Sequence, residues 1–398
     1  MKHSPPTSSQ RRVILQAGAA ALGSGVLGMP ALALAAAGGP VRIGILQPFS
    51  GGLEALGEQG FQGAKVAIDE INDAGGLLGH KVEFVRADTR TDPKTAVERT
   101  QELIRRDMVD VIIGPVTSAE RDAMRPTIER AKMPLLYATD YEGGTCSRYI
   151  TCYSALPAHW VDPLITYSAN NVGKKLYLVG SDYIWPKQMN AAVRAIAKKV
   201  GAQVVGEEYV PFGIKDFAST LRKIESSGAD ALVVSVVGAD AVTLIKQFAG
   251  AGLKQKTRVV FFGFSENYLA GLTPQESDGI YTISNFTASL KKPEAIAFIK
   301  QVRDRYGAQT IVSNTTDAHY NLMRFYFGGV KRAKTADKEK VTDAMLDQTI
   351  MSGNGEVHLR KDDRHVDLNV LISVAKGGSL ELLQDVGRVV APSQCAKR

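Results

Sequence analysis

Residues 41–47 read VRIGILQ, and after a Gly-rich turn (51–60, GGLEALGEQG) residues 67–79 read AIDEINDAGGLLG. The first stretch is a short apolar run of strand length. Phe61, Ala64, Ile68 and Ile71 recur at the spacing of one helix face, which predicts a helix over about 57–74, ended by Gly75 and Gly76. An alternating strand at 81–87, a helix at 93–106, a strand at 110–113, a helix at 118–130 and a strand at 134–137 follow. Repeated strand–helix–strand units call for a mainly parallel sheet with helices on both faces.

The same order starts again beyond Pro157: strand 175–179, helix 187–200, strand 204–209, helix 216–226, strand 231–236, helix 241–251, strand 258–262. A strand at 279–284, helices near 293–306 and 317–331, a helix from about 338 and a strand pair near 357–374 complete the chain. Two α/β units in tandem are the simplest account.

Composition agrees. The 398 residues are 44% apolar and 22% charged, an ordinary globular balance that excludes disordered, collagenous and coiled-coil classes. The formal charge of +7 owes three units to Lys2, Arg11 and Arg12. The other basic residues are interleaved with acids, as in 338–340 and 360–364, so no basic stripe marks a nucleic-acid surface.

Residues 1–35 form an export signal: a polar start ending in Arg11 and Arg12, an uncharged stretch over 13–35, and ALALA at 31–35 with small residues at the cleavage spacing. Residues 11–15, RRVIL, resemble the twin-arginine type, with Ile14 where Phe is usual and Gln10 where Ser or Thr is usual; the general secretory route stays open. Beyond residue 40 no apolar run approaches 18 residues, so no membrane span is expected. The expected compartment is a periplasm. There the polar loop 142–152 would allow a Cys146–Cys152 disulfide, leaving Cys395 over.

Catalytic motifs fail on their details. In 51–60, Glu58 and Gln59 stand where a phosphate loop needs Lys and Ser or Thr, and the dinucleotide glycine spacing is absent. Residues 263–267, GFSEN, approach the nucleophile elbow of hydrolases, but Asn267 replaces its second Gly. The histidines (His3, His80, His159, His319, His358, His365) show no metal spacing and are expected to be mostly surface or half-buried. No cofactor or metal is expected. An esterase built on Ser265 is the enzyme alternative.

What remains are polar and aromatic residues just past the carboxyl ends of predicted strands, where open α/β sheets bind ligands. They fall at 114–118 (GPVTS), 137–142 (YATDYE), 180–186 (GSDYIWP), Gly238 and Ser265–Glu266. Hydroxyls and carboxylates can hydrogen-bond a small solute, aromatic faces can cover it, and a helix starting at Ser118 offers free N–H groups.

These segments, with 67–79, 88–93 and 113–115 (IGP), resemble the periplasmic solute-binding proteins of ATP-driven branched-chain amino-acid and amide/urea uptake systems. The resemblance covers nearly all of 40–375; YEG at 141–143 and GSDYIWP are similar to the amide/urea branch. It implies a type I periplasmic binding protein, α/β, with two doubly wound Rossmann-like lobes joined by three crossovers near 157–160, 283–287 and 350–355. Lobe 1 would span 36–158 and 286–350, lobe 2 159–285 and 351–385, and the tail 386–398.

By position, Thr117, Ser118, Tyr137, Thr139 and Tyr141 would line the first lobe's side of the cleft, and Asp182, Tyr183, Trp185, Gly238 and Glu266 the second, with Asn285 at the crossover. The amide branch tends to have Pro at Asp140 and Tyr at Trp185, which disfavours urea and acetamide. An ammonium group could be held by Asp140, Asp182 or Glu266, with cation–π help from Trp185. The resemblance therefore implies a monomeric, non-enzymatic receptor that delivers an amino acid, branched-chain or aromatic, or an amide- or urea-like compound to a membrane permease. A ligand sensor acting on a signalling partner is the alternative.

Overall fold

A computed structural model describes residues 39–395. The export signal expected over 1–35 lies outside the described residues. The chain runs β1 (Arg42–Gln47), α1 (Glu54–Asp73), β2 (Glu83–Asp88), α2 (Pro93–Arg105), β3 (Val111–Ile113), α3 (Ser118–Arg130), β4 (Leu135–Tyr137) and β5 (Ile150–Cys152). These strands make a parallel sheet in the order β2-β1-β3-β4-β5. In β1 the apolar run is buried from Ile43 to Gln47, as befits a strand covered by helices on both faces.

The second series is α4 (Pro157–Asn171), β6 (Lys175–Ser181), α5 (Ile184–Lys199), β7 (Gln203–Val210), α6 (Ala218–Ser227), β8 (Ala231–Ser235), α7 (Gly238–Gly250), β9 (Arg258–Phe262), α8 (Glu266–Leu269), α9 (Pro274–Ser277) and β10 (Ile280–Ser284). Then α10 (Pro293–Tyr306), α11 (Asn314–Ala333) and α12 (Lys338–Ala344) return to the first sheet. In α1, a Cβ on Gly60 would lie 2.8 Å from His319 Nε2 and one on Gly63 2.2 Å from Thr316 O. Small residues on that face let α11 lie directly on α1.

The chain ends in β11 (Gln348–Ser352), β12 (Gly355–Leu359), β13 (Val366–Lys376) and β14 (Ser379–Val389). The second sheet reads β11-β12-β13-β10-β9-β8-β6-β7, with β14 on the outer edge of β13. A lobe boundary at 350 therefore falls inside β11, and a tail starting at 386 falls inside β14. Two register shifts in the β13–β14 pairing and the exposed residues of β14 blur the period-2 pattern by which a strand is recognised.

After β12 the chain touches the first sheet again, where the Cys152 N–H donates to Arg364 O at 2.9 Å. After β14 it does so once more: Gly144 N–H donates to Gln394 Oε1 at 2.7 Å, and Cys146 is bonded to Cys395, 249 residues on. This overturns the expected Cys146–Cys152 bond. Residues 150–152 are a strand paired with β4, which holds Cys152 in the core as a free, buried thiol, pushed up to about 12 by burial. No helix among the described residues is long and apolar enough to cross a membrane.

Candidate functional site

The carboxyl ends of both sheets face a cavity of about 80 Å³. Its apolar wall includes Leu53, Val116 and Trp160, and Tyr183, Trp185 and Phe262. Helices begin here from both sides: Leu53 precedes α1, Ser118 opens α3, Tyr183 precedes α5, Val237 precedes α7 and Asn314 opens α11, and all five residues line the cavity. Each start carries partial positive charge on unpaired N–H groups. Apart from tyrosines, Asp140 is the only ionisable side chain in the lining.

Local sequence explains the best-defined start. Thr117 caps α3: its oxygen accepts from Glu120 N–H at 3.2 Å, and its hydroxyl donates to Glu120 Oε2 at 2.6 Å. That capping box satisfies the third N–H of the helix and leaves those of Ser118 and Ala119 without intrahelical partners. The hydroxyl of Ser118 donates to Glu142 Oε2 at 2.7 Å, and Glu142 is paired with the buried Arg121 at 3.1 Å. Thr139 donates to Pro115 O at 3.4 Å.

Asp140 follows β4 and is half-buried. Its Oδ1 accepts from Ala155 N–H at 2.6 Å and its Oδ2 from Asn314 Nδ2 at 3.2 Å. No Lys, Arg or His ion-pairs with it among the described residues, and burial pushes its carboxyl up to about 7.

Of the residues expected to line the cleft, Ser118, Thr139, Tyr183 and Trp185 do so, as does Asp140, named for an ammonium group. The others are occupied elsewhere. Thr117 is the cap. Tyr137 donates its hydroxyl to Val116 O at 3.0 Å, and Tyr141 bonds His365; both are fully buried behind the wall. Asp182 is exposed and pairs with Lys187 at 2.6 Å. Asn285 gives its carbonyl to Asn354 at 3.0 Å and is not in the lining.

Glu266 is not in the lining, and its Oε2 is buried without a hydrogen-bond partner. Its Oε1 accepts from Thr287 Oγ1 and Ala288 N–H, both at 2.7 Å, and burial raises its pKa. Gly238, at φ +66°, instead admits the opposite lobe: a Cβ there would lie 2.7 Å from Gly52 O. A hydrogen bond from Gln59 to Asn267 also spans the lobes, so the two lobes touch across the cavity.

Sequence reasoning missed Leu53, Leu56, Trp160, Tyr268, Asn314 and Thr315, all in the lining. Trp160 lies in α4, a helix not expected from the sequence. Asn314 follows Ser313, whose capping box with Thr316 was the available signal. Ser265 lines the cavity with no histidine beside it in the lining. His159, His319 and His365 are fully buried, contrary to the surface or half-buried placement expected, and burial lowers each to about 4. No group of three or more metal-ligating side chains occurs among the described residues.

Comparison with known proteins gives a consistent picture. Residues 40–379 match a family described as periplasmic binding protein. An amino acid binding protein of Pseudomonas aeruginosa is 26% identical over 234 residues, 58% of this chain and 62% of that protein. The chain thus spans about three fifths of that relative's length. A Leu/Ile/Val-binding protein homolog of Brucella abortus is 23% identical over 91% of this chain and 89% of its own. Among solved structures, an ABC transporter solute binding protein from R. palustris in complex with benzoate superposes with a TM-score of 0.83 at 23% identity, covering 90% of this chain and 100% of that one. A branched-chain amino acid transporter substrate binding protein from Streptococcus pneumoniae in complex with isoleucine gives 0.78 at 22%, covering 86% and 99%.

Proposed function

Because the chain belongs to the periplasmic binding protein family, we propose that it is the exported solute receptor of an ABC importer, taking a small carboxylate with an apolar or aromatic body and delivering it to a membrane permease. The observation that carries this reading is the convergence of five helix starts on an aromatic-walled cavity that lacks any Lys, Arg or His. Backbone N–H groups can hold an anion there without a cationic side chain, and the rings exclude water around it. Contact between the lobes, Gly238 against Gly52 and Gln59 with Asn267, supports capture by hinge closure. An uncharged amide or urea would leave the positive helix starts unanswered and the aromatic wall uncovered.

The test is thermal unfolding of the chain lacking residues 1–35, stripped of bound solute by unfolding and refolding. Leucine, phenylalanine, benzoate, urea and acetamide are added in turn. A ligand at about 100 times its Kd stabilises the folded state by about 2.7 kcal/mol, a shift of a few degrees. The reading expects such a shift with at least one carboxylate and none with urea or acetamide. The reverse pattern would overturn it.

A further inference from the structure

We infer that the Cys146–Cys395 bond is a redox modification site that governs the hinge. Closed, it holds the two lobes near the arrangement that encloses the cavity; reduced by a dithiol, it lets them part and weakens the hold on solute. The inference rests on hinge closure and not on which solute is bound.

Among the described residues the chain passes between the lobes four times. It leaves the first sheet at 153–156, between β5 and α4, and returns at 285–292, between β10 and α10. The third passage is β13 itself. His365 bridges to Cys152 at the edge of the first sheet, Val366 and Asp367 pair with β12, and from Leu371 the strand pairs with β10 in the second lobe. β14 then runs back beside it, with Leu368 opposite Val389, Asn369 opposite Arg388 and Val370 opposite Gly387. Arg388 also donates to Asp367 Oδ2 at 2.6 Å. The third and fourth passages are therefore one two-stranded ribbon across the hinge, each strand bracing the other.

A ribbon attached to a body at one point can pivot there; attached at two, it cannot. The first point is Cys152, which joins 364–365 to the first sheet. The second is the disulfide, which ties Cys395, beyond the end of β14, to Cys146 in the loop between β4 and β5. Gln394 N–H donates to Asp363 Oδ2 at 2.8 Å, but Asp363 lies in the segment that enters β13, so that bond closes the ribbon on itself. With the disulfide open, one hydrogen bond among the described residues still joins the tail to the loop, from Gly144 N–H to Gln394 Oε1 at 2.7 Å. The disulfide is formed while Gly238 lies against Gly52 across the cleft, so the angle it fixes is that of the closed lobes.

Reduction is chemically open to it. Cys146 is exposed, whereas Cys152 is a buried free thiol. One thiolate of the dithiol attacks a sulfur of the bond, giving a mixed disulfide and releasing the other cysteine; the second thiol of the reductant then displaces the first. Two electrons pass to the protein, the two hydrogens of the dithiol end on Cys146 and Cys395, and the reductant ends as its own disulfide. The ribbon regains its pivot, open arrangements become more populated, and apparent affinity falls with the fraction of chains able to close.

The experiment uses dithiothreitol as the dithiol and L-leucine and benzoate as solutes. Small-angle X-ray scattering without solute compares four forms: the oxidised chain, the reduced chain, the double variant Cys146→Ser, Cys395→Ser, and an oxidised variant with Gly-Ser-Gly-Ser inserted between 392 and 393. The insertion keeps the bond but slackens it. The last three should show a larger radius of gyration than the first, with unchanged circular dichroism. A solute that binds the oxidised chain should bind the other three about fivefold or more weakly, and reoxidation should restore the reduced chain. Equal scattering of oxidised and reduced chains would overturn the inference, as would an expanded reduced chain that binds solute as tightly as before. A slackened variant that stays compact would also overturn it, because the bond would then act on its loop and not on the hinge. Should the chains lacking the bond unfold, the slackened variant decides alone. If neither solute binds, the carboxylate reading falls, while the scattering still decides this inference.

Discussion

Gly238 and Leu53 meet across the cleft: a Cβ on Gly238 would lie 2.7 Å from Leu53 Cδ2. The contact joins the start of α7 in one lobe to the turn before α1 in the other. Gly238→Ala should therefore obstruct closure more than folding. Ligand affinity is expected to fall at least about tenfold, while the strain of a side chain at φ +66° costs the ligand-free fold about 1 kcal/mol. Titration calorimetry and unfolding of the ligand-free variant separate the two effects; unchanged affinity would show that the lobes need not come this close.

The two tryptophans of the sequence, Trp160 and Trp185, both line the cavity. Their indole N–H groups are buried without partners. Solute binding should change the intrinsic fluorescence, Trp160→Phe and Trp185→Phe should each remove part of the change, and the double variant should be silent. A full signal from either single variant with none from the other would place the solute at one end of the cavity.

The Cys146–Cys395 bond makes a prediction in thiol chemistry. Without reductant the native chain should show no reactive thiol and the denatured chain one, from Cys152. Reduction should raise the denatured count to three. Cys395→Ser should lower the unfolding free energy by roughly 2–5 kcal/mol, through the freedom regained by the unfolded chain. Unchanged stability would mean that the native structure gains nothing from the tie.

Asp317, in the first turn of α11, is buried and neither oxygen has a hydrogen-bond partner; burial pushes it up to about 7. Between pH about 4 and about 7 the folded chain keeps a proton that the unfolded chain releases. The wild type must therefore lose stability relative to Asp317→Asn as pH rises through that window. The gap should reach a few kcal/mol at pH 8 and close near pH 4. Denaturant unfolding curves that stay parallel across this range would rule out the buried acid as its source.

The repeated strand–helix order was legible in the sequence because each inner strand is a short apolar run and most helices show one apolar face. The edges were not. β5 lies in a stretch that reads as a polar loop, and its neglect produced the wrong cysteine pairing. β14 is mostly exposed and its pairing is bulged, so it lacks the alternation that identifies a strand. At the site, strand ends pointed to Ser118, Thr139, Tyr183 and Trp185. They could not reveal that Tyr137 and Tyr141 pack behind the wall, or that one oxygen of Glu266 is taken up by Thr287 and Ala288. Those outcomes depend on side-chain direction, which residue type and spacing leave open.

The tie between residues 146 and 395 also imposes an order in time. Every strand of the second sheet lies between the two cysteines, so the bond cannot form until that whole segment has been synthesised. The loop it anchors carries Glu142, the residue that fixes the Ser118 hydroxyl. The tie to that loop is therefore made only after the opposite lobe has been synthesised, so maturation of the protein runs from its scaffold to the loop beside its cavity.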